Sequence, residues 1–180
     1  MDQRIAEALH GVVGRMPLFD AFMVLSASYL PYVSGAAFIA VFFVMTGGEG
    51  AFRRGKERLR HAFACLMGLS IAFGVVIPGI RLAFRTARPF SAYGWEPLIA
   101  MAKDAPSFPS GHATLMFFLA AYAWHHDRRL VAWLLAFAAM NAFARGYAGV
   151  HWASDLAAGA ILGMFAAYAA DRAAPKLHDR

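Results

Sequence analysis

The chain has 180 residues, a length that suits one domain, and its composition is unlike that of a water-soluble protein. It is 60% hydrophobic and 16% charged, whereas soluble domains carry roughly 25% charged residues. The net charge of +6 alone does not indicate nucleic-acid binding, because the position of basic residues matters more than their number. A single cysteine, Cys65, excludes an intramolecular disulfide. The composition therefore predicts a protein whose solvent is largely lipid.

The first predicted element is a short amphipathic helix over residues 1–18. Ile5, Leu9 and Val12 recur at helical spacing, with polar residues such as Arg4 between them. That pattern is typical of a helix that lies along a membrane surface with its apolar face in the lipid. The sequence leaves open whether this helix rests on the membrane or inserts into it.

Five apolar segments follow, and a helix that crosses a bilayer needs about 20 mostly apolar residues. We place the membrane helices at residues 21–48, 62–84, 110–126, 130–147 and 151–170. Pro31 lies inside the first of them and predicts a kink. The sequence has no internal repeat and no low-complexity tract. It predicts an all-α, polytopic membrane helix bundle with about five transmembrane helices, forming a single domain over residues 1–180.

Basic residues indicate how the bundle is oriented. They concentrate after the first, third and fifth segments: Arg53, Arg54, Lys56, Arg58 and Arg60; Arg128 and Arg129; Arg172, Lys176 and Arg180. By the positive-inside rule these three stretches are cytoplasmic. We therefore interpret the basic clusters as signals of orientation and expect no nucleic-acid partner. The N-terminus and residues 81–109 then lie on the outer side.

Seven ionisable residues stand at the outer ends of the segments: Arg81, Arg85, Arg88, His112, Arg145, His151 and Asp155. Because successive spans alternate in direction, all seven are expected at one membrane face. Ionisable groups at membrane depth are costly and usually mark function. Arg145 and Asp155, taken alone, fit a structural ion pair equally well.

The types of these residues indicate phosphate chemistry. Arginines present forked, permanently charged donors that match phosphate oxygens. Ser110 and Gly111 open a helix, where free backbone N–H groups and the helix dipole favour an anion. His151 and Asp155 are four residues apart and are expected on one helix face, so that the carboxylate orients the imidazole. His112 is then free to protonate a leaving oxygen. No Asp/Glu cluster or Cys/His spacing suits a metal, so we predict none.

These residues form three motifs that resemble those of the type 2 phosphatidic acid phosphatase superfamily of membrane lipid phosphatases. The family pattern is Lys-x6-Arg-Pro, then Pro-Ser-Gly-His, then Ser-Arg-x5-His-x3-Asp. The chain has Arg81-x6-Arg88-Pro89, Pro109-Ser110-Gly111-His112 and Ala144-Arg145-x5-His151-x3-Asp155. The motifs occur in the family order, and each lies at a predicted helix end.

The resemblance implies a phosphohistidine mechanism that needs neither metal nor another cofactor. His151 would be the nucleophile, Asp155 its orienting partner and His112 the general acid. Phosphate binding is implied for Arg81, Arg88, Ser110, Gly111 and Arg145.

The chain departs from the family pattern at two positions. Arg81 replaces the usual Lys, which keeps the charge but changes the hydrogen-bond geometry. Ala144 replaces the usual Ser, so a hydroxyl is lost; a hydrogen bond to a charged partner contributes about 1.5–3 kcal/mol. Outside the motifs, Arg85, Lys103 and Asp104 either contact the substrate headgroup or are simply solvated.

The substrate is suggested by the runs SFPSGHATLMFF and RGYAGVHWASDLAAG, which resemble bacterial undecaprenyl diphosphate phosphatases. We predict conversion of undecaprenyl diphosphate to the monophosphate at the outer (periplasmic) face of the bacterial inner membrane. Phosphatidylglycerol phosphate, phosphatidate and lipid A 1-phosphate are alternative substrates. A non-catalytic lipid-phosphate binder or transporter is the alternative from another class, but the presence of His112, His151 and Asp155 together favours an enzyme. The sequence leaves the oligomeric state open.

Gly159 and Gly163 form a GxxxG pattern in the last apolar segment. Such a pattern allows close packing of two helices, either between two chains or within one bundle. In a chain of five spans we expect packing within its own bundle.

Overall fold

A computed structural model of the chain describes residues 1–44, 51–124 and 128–174, with backbone alone for 41–44, 51–54, 56–58 and 129. Within these residues every regular element is helical. The elements are α1 (Asp2–His10), α2 (Pro17–Val44), α3 (Ala51–Ile71), a π-helical turn (Ala72–Val76), α4 (Ile77–Ala83), α5 (Pro89–Tyr93), α6 (Gly111–Ala123), α7 (Arg128–Tyr147) and α8 (Ala153–Ala173). The predicted all-α class is confirmed.

In the part of the chain that the structure describes, four stretches are long and apolar enough to cross a membrane: Pro17–Ala40, Leu59–Ala83, Leu130–Tyr147 and Ala153–Ala173. The remaining apolar helix, α6, has 13 residues, fewer than the roughly 20 that span a bilayer. Its buried side chains, from Ala113 to Ala123, point in all directions, as expected of a helix surrounded by protein. It packs against α8, α7 and α2. The chain is thus a multi-pass membrane bundle built around α6.

Gly159 and Gly163 bring α8 against α6. A Cβ atom at Gly159 would lie 2.5 Å from the carbonyl oxygen of Ser110, and one at Gly163 would lie 2.2 Å from that of Thr114. Any larger residue there would force the two helices apart. The expectation that the GxxxG pattern packs within its own bundle is confirmed, and the contact fixes the start of α8 beside Ser110.

The amphipathic helix is shorter than predicted. It ends at His10 instead of continuing to residue 18, because a turn containing Gly14, with φ at +83°, leads into α2. α1 packs on α7 and α8, and the Asp2 carboxylate accepts a hydrogen bond from the Ser154 N–H over 3.2 Å. The N-terminal helix is therefore attached to the first turn of α8.

The boundaries of the predicted spans change in several places. α2 begins at Pro17, four residues before the predicted start, and α3 begins at Ala51, eleven before it. A π-helical turn joins α3 to α4 just before Pro78, a residue with no N–H to donate to the preceding turn. Residues 45–48 and 125–126 of the predicted spans lie outside the described residues. So do Lys176 and Arg180, and the side chains of Arg53, Arg54, Lys56, Arg58 and Arg129.

Candidate active site

His151 lies in the turn that joins α7 to α8, where Gly149 adopts a φ of +74°. Its side chain is buried, with 4% of the residue exposed. The Nδ1 atom is 3.5 Å from Oδ2 of Asp155, and the Nε2 atom is 3.4 Å from Nη1 of Arg88. One ring nitrogen therefore faces a carboxylate while the other faces a cation.

The expectation that His151 and Asp155 share one helix face is wrong. α8 begins at Ala153 with Trp152 as its N-cap, so His151 precedes the helix. The physical reason is the Asp155 carboxylate, whose Oδ2 accepts the Trp152 N–H over 2.8 Å and thereby caps the helix there. The same oxygen still reaches His151, so the predicted pairing is kept by a different local structure.

Arg88 is held by three backbone carbonyls. Its Nε donates to Ala105 over 3.0 Å, Nη1 to Val150 over 2.7 Å and Nη2 to Pro106 over 3.2 Å. The residue is 4% exposed and lies just before α5. Because each of its three nitrogens is bound to the backbone, its position relative to His151 is fixed.

Arg145 reaches a carbonyl that a proline has freed. Pro31 has no N–H, so the Ala27 carbonyl, four residues earlier in α2, lacks its usual helical partner. Arg145 Nη1 donates to that oxygen over 3.3 Å. Asn141, one turn earlier in α7, donates its Nδ2 to Ala27 over 3.1 Å and to Ser26 over 2.9 Å. Arg145 is thus held by α2, and Asp155 pairs with His151 instead of with Arg145.

Ser110 and Gly111 begin α6 beside the other site residues. The Ser110 hydroxyl accepts a hydrogen bond from the Ala113 N–H over 3.4 Å. The backbone N–H of Ser110 donates to the Asp155 carbonyl over 3.1 Å. A Cβ atom at Gly111 would lie 3.8 Å from Nη2 of Arg81, which donates to the Pro109 carbonyl over 3.2 Å. The start of α6 therefore meets Arg81 directly.

His112 is half-buried in the first turn of α6. Arg145, His151 and Arg88 are all close enough to act on it electrostatically. The structure thus brings all eight predicted site residues together at one end of the bundle. Arg85 lies elsewhere: α4 ends at Ala83, and Arg85 belongs to the non-helical segment that follows.

The site carries excess positive charge. Arg81 and Arg88 both interact with the Asp155 carboxylate, whereas the charge that acts on Arg145 is that of Arg88. Among the described residues, the three arginines therefore share one nearby carboxylate. The Nε atoms of Arg81 and Arg145 are buried and bond to no group in the described part of the chain. Burial and then the nearby charge of Arg81 lower the pKa of Arg88. An anion with two negative charges would relieve each of these costs.

Burial lowers the pKa of the His151 imidazole well below its ordinary value, and the charges of Arg145 and Arg88 act in the same direction. The Asp155 carboxylate, 3.5 Å away, opposes this shift without overcoming it. His151 is therefore neutral at neutral pH. A neutral imidazole has the free lone pair that a nucleophile requires.

Within residues 1–44, 51–124 and 128–174, no group of three or more His, Cys, Asp and Glu side chains lies close enough to hold a metal ion. Metal independence stays a prediction. Ala144, where the family pattern has Ser, is fully buried and belongs to an apolar cluster with Met23, Ala27 and Tyr147.

Sequence reasoning missed the groups that hold the site residues. Pro31 predicts a kink but not the contact of Arg145 with the Ala27 carbonyl. Asn141 is a lone polar residue in an apolar segment, which is the sequence signal for a buried hydrogen bond. The carbonyls of Ala105 and Pro106, which bind Arg88, carry no sequence signal at all.

The family model of the PAP2 superfamily matches residues 62–179. No protein of curated function matches the chain significantly. Among solved structures, LpxE from Aquifex aeolicus is similar at 24% identity and a TM-score of 0.69, with 95% of this chain and 94% of the other covered. A transmembrane PAP2-type phosphatidylglycerolphosphate phosphatase from Bacillus subtilis is similar at 20% identity and a TM-score of 0.60, with 98% of this chain and 87% of the other covered.

Proposed function

Because the chain belongs to the PAP2 superfamily and is a membrane lipid phosphatase, we propose that it acts through a phosphohistidine formed on His151. The observation that carries this proposal is the environment of that one side chain. Its Nδ1 faces Asp155 and its Nε2 faces Arg88, in a buried site where Arg81, Arg88 and Arg145 give an excess of positive charge. Nε2 is therefore the nucleophilic atom.

In the first step, the lone pair of Nε2 attacks the terminal phosphorus, and the bond from that phosphorus to the leaving oxygen breaks; in a lipid diphosphate this is the bridging oxygen. The electron pair leaves with that oxygen, and His112 supplies its proton. Arg88, Arg145, Arg81 and the start of α6 stabilise the equatorial oxygens of the phosphoryl group. The positive charge that develops on His151 is balanced by Asp155.

In the second step, water attacks the phosphohistidine and the nitrogen–phosphorus bond breaks. His112, now neutral, accepts a proton from that water, which returns it to its acid form. Inorganic phosphate leaves and the imidazole is restored. The cycle consumes one water molecule and requires no metal.

The proposed location is the outer face of a bacterial inner membrane. Arg60 lies at the start of the apolar stretch Leu59–Ala83, Arg128 at the start of α7 and Arg172 near the end of α8. These ends are opposite to His151, and the positive-inside rule expects cytoplasmic charge there. Phosphate groups exposed at the outer face are then the available substrates.

The proposed substrate is undecaprenyl diphosphate, which the enzyme converts to the monophosphate. Support comes from the sequence runs around Ser110 and His151. The short connection between the first two motifs adds no bulky lid that would demand one headgroup. Phosphatidylglycerol phosphate, phosphatidate and lipid A 1-phosphate remain the alternatives.

The test measures phosphate release from these lipids in detergent, with and without EDTA, by wild type and His151→Ala. We expect turnover that EDTA does not change, the highest kcat/KM on undecaprenyl diphosphate, and none by the variant. Equal phosphate release by the variant would refute the assignment of His151 as nucleophile, and metal dependence would refute the mechanism. A higher kcat/KM on another lipid would make that lipid the proposed substrate.

A further inference from the structure

A second cationic cavity adjoins the phosphate site. It has a volume of about 680 Å³ and lies between the end of α4, the non-helical segment after it and the turn at residues 102–105. Arg81 lines this cavity and also contacts the start of α6, so the side chain belongs to both spaces. An anion in the cavity would therefore lie next to a phosphate bound among the three arginines.

The cavity takes its charge from residues outside the three motifs. Arg85 and Lys103 line it together with Arg81, and Asp104 is the acidic residue in its lining. Arg85 reaches the cavity because α4 ends at Ala83 and the chain that follows is not helical. Lys103 lies in a turn closed by the Ala105 N–H, which donates to the Ala102 carbonyl over 3.3 Å. The cavity thus has a net positive charge even when Arg81 is assigned to the neighbouring site.

The walls of the cavity are fixed relative to His151. The Ser107 hydroxyl lies 3.1 Å from the Thr86 carbonyl and 3.3 Å from that of Ala87. Arg88, which contacts His151, also binds the carbonyls of Ala105 and Pro106 in the opposite wall. One guanidinium group therefore joins the loop that follows Lys103 to His151, which places the two anion sites side by side.

We propose that Arg85 and Lys103 form a second phosphate subsite, which binds the leaving phosphate of a lipid diphosphate. This inference rests on the proposed function. When Nε2 of His151 attacks the terminal phosphorus, the bond to the bridging oxygen breaks and its electron pair passes to the departing lipid monophosphate. The leaving phosphate gains negative charge in the transition state, so the two cations stabilise that state more than the bound substrate. A lipid monophosphate leaves no group for this subsite to hold.

The test compares geranylgeranyl diphosphate with geranylgeranyl monophosphate, two substrates with the same tail, in detergent micelles. Wild type is measured beside Arg85→Ala, Lys103→Ala and the double variant. Arg15→Ala serves as the matched control, because Arg15 is exposed near the start of α2 and does not line the cavity.

We expect the double variant to lose roughly tenfold to a hundredfold in kcat/KM on the diphosphate, as for the loss of charged hydrogen bonds. Its kcat/KM on the monophosphate should change less than about twofold, which also shows that the variant is folded. The control variant should match wild type on both substrates.

Two results would overturn the subsite while leaving the proposed phosphatase intact: an equal loss on both substrates, or no loss on either. A wild-type enzyme that hydrolyses neither lipid would instead contradict the proposed function as well. A second readout does not depend on turnover. It compares the affinity for each lipid of two inactive proteins: His151→Ala, and the triple variant that adds Arg85→Ala and Lys103→Ala. There the preference for the diphosphate should disappear with the two cations, and a preference that persists would contradict the subsite.

Discussion

Pro31 and Arg145 are connected through a single carbonyl group. Pro31 cannot donate to the Ala27 oxygen within α2, and Arg145 donates to that oxygen from α7 over 3.3 Å. Asn141 binds the same oxygen over 3.1 Å. A proline that removes a helical hydrogen bond in α2 therefore leaves free the carbonyl oxygen that orients Arg145 in α7.

The first prediction tests this connection with Pro31→Ala. The new N–H at position 31 would compete for the Ala27 carbonyl and loosen Arg145. We expect inhibition by orthovanadate, a mimic of the phosphoryl transition state, to weaken by roughly twofold to tenfold, the equivalent of one hydrogen bond. Tyr32→Ala, an exposed change on the same helix, should leave inhibition unaltered. Unchanged vanadate affinity in Pro31→Ala would show that the proline does not position Arg145.

The second prediction concerns the pH dependence of kcat/KM, which reports groups of the free enzyme. His151 must be neutral to attack, so activity falls as the pH decreases through its pKa. Because burial lowers that pKa, the acid limb should lie below about pH 6.5, the ordinary value for histidine.

The Asp155→Asn variant provides a second test of the pH dependence of kcat/KM. Asp155 raises the pKa of His151, so its removal should move the acid limb to still lower pH, with reduced activity throughout. His10→Gln, a change outside the site, should leave the limb in place. An acid limb near or above pH 6.5 in wild type, or an upward shift in Asp155→Asn, would contradict the assignment.

The third prediction separates proton donation by His112 from a structural role. A lipid monophosphate expels a basic alkoxide that needs a proton, whereas p-nitrophenyl phosphate expels a stable phenolate that does not. His112→Gln should therefore lower kcat/KM on the lipid by about 10² to 10⁴, the usual contribution of a general acid, and on the aryl phosphate far less. Equal losses on the two substrates would argue against general acid catalysis.

The fourth prediction tests the packing of α8 on α6. A Cβ atom at Gly163 would lie 2.2 Å from the Thr114 carbonyl oxygen, and overpacking of this kind costs about 1–3 kcal/mol or more. Gly163→Ala should lower the midpoint of thermal unfolding in detergent by several degrees. Gly35→Ala is the matched control, since a Cβ atom there meets nothing within 4 Å. A Gly163→Ala protein as stable as the control would mean that the helices are not in close contact.

The sequence predicted the members of the site better than their supports. Arg88, Ser110, Arg145 and His151 could be grouped because each adjoins a helix end and successive spans alternate in direction. That reasoning needs only hydrophobic segments and their order.

The supports depend on tertiary contacts that no local pattern records. Arg145 is oriented by α2, which lies more than 100 residues earlier in the chain and contributes a bare carbonyl at Ala27. The start of α8 was misplaced at His151 because hydrophobicity does not reveal that the Asp155 carboxylate caps the helix at Trp152. Hydrophobicity also does not reveal that α4 ends at Ala83, and the position of Arg85 beside the second cavity depends on that helix end.

We propose that Nε2 of His151 carries the phosphoryl group between lipid and water. A direct test incubates the enzyme with ³²P-labelled lipid phosphate, quenches within milliseconds in alkali, where phosphohistidine survives, and maps the labelled peptide. We expect acid-labile label on the peptide that contains His151, no label in His151→Ala and unchanged label in His10→Gln. Label on another residue, or undiminished hydrolysis by His151→Ala without label, would contradict it.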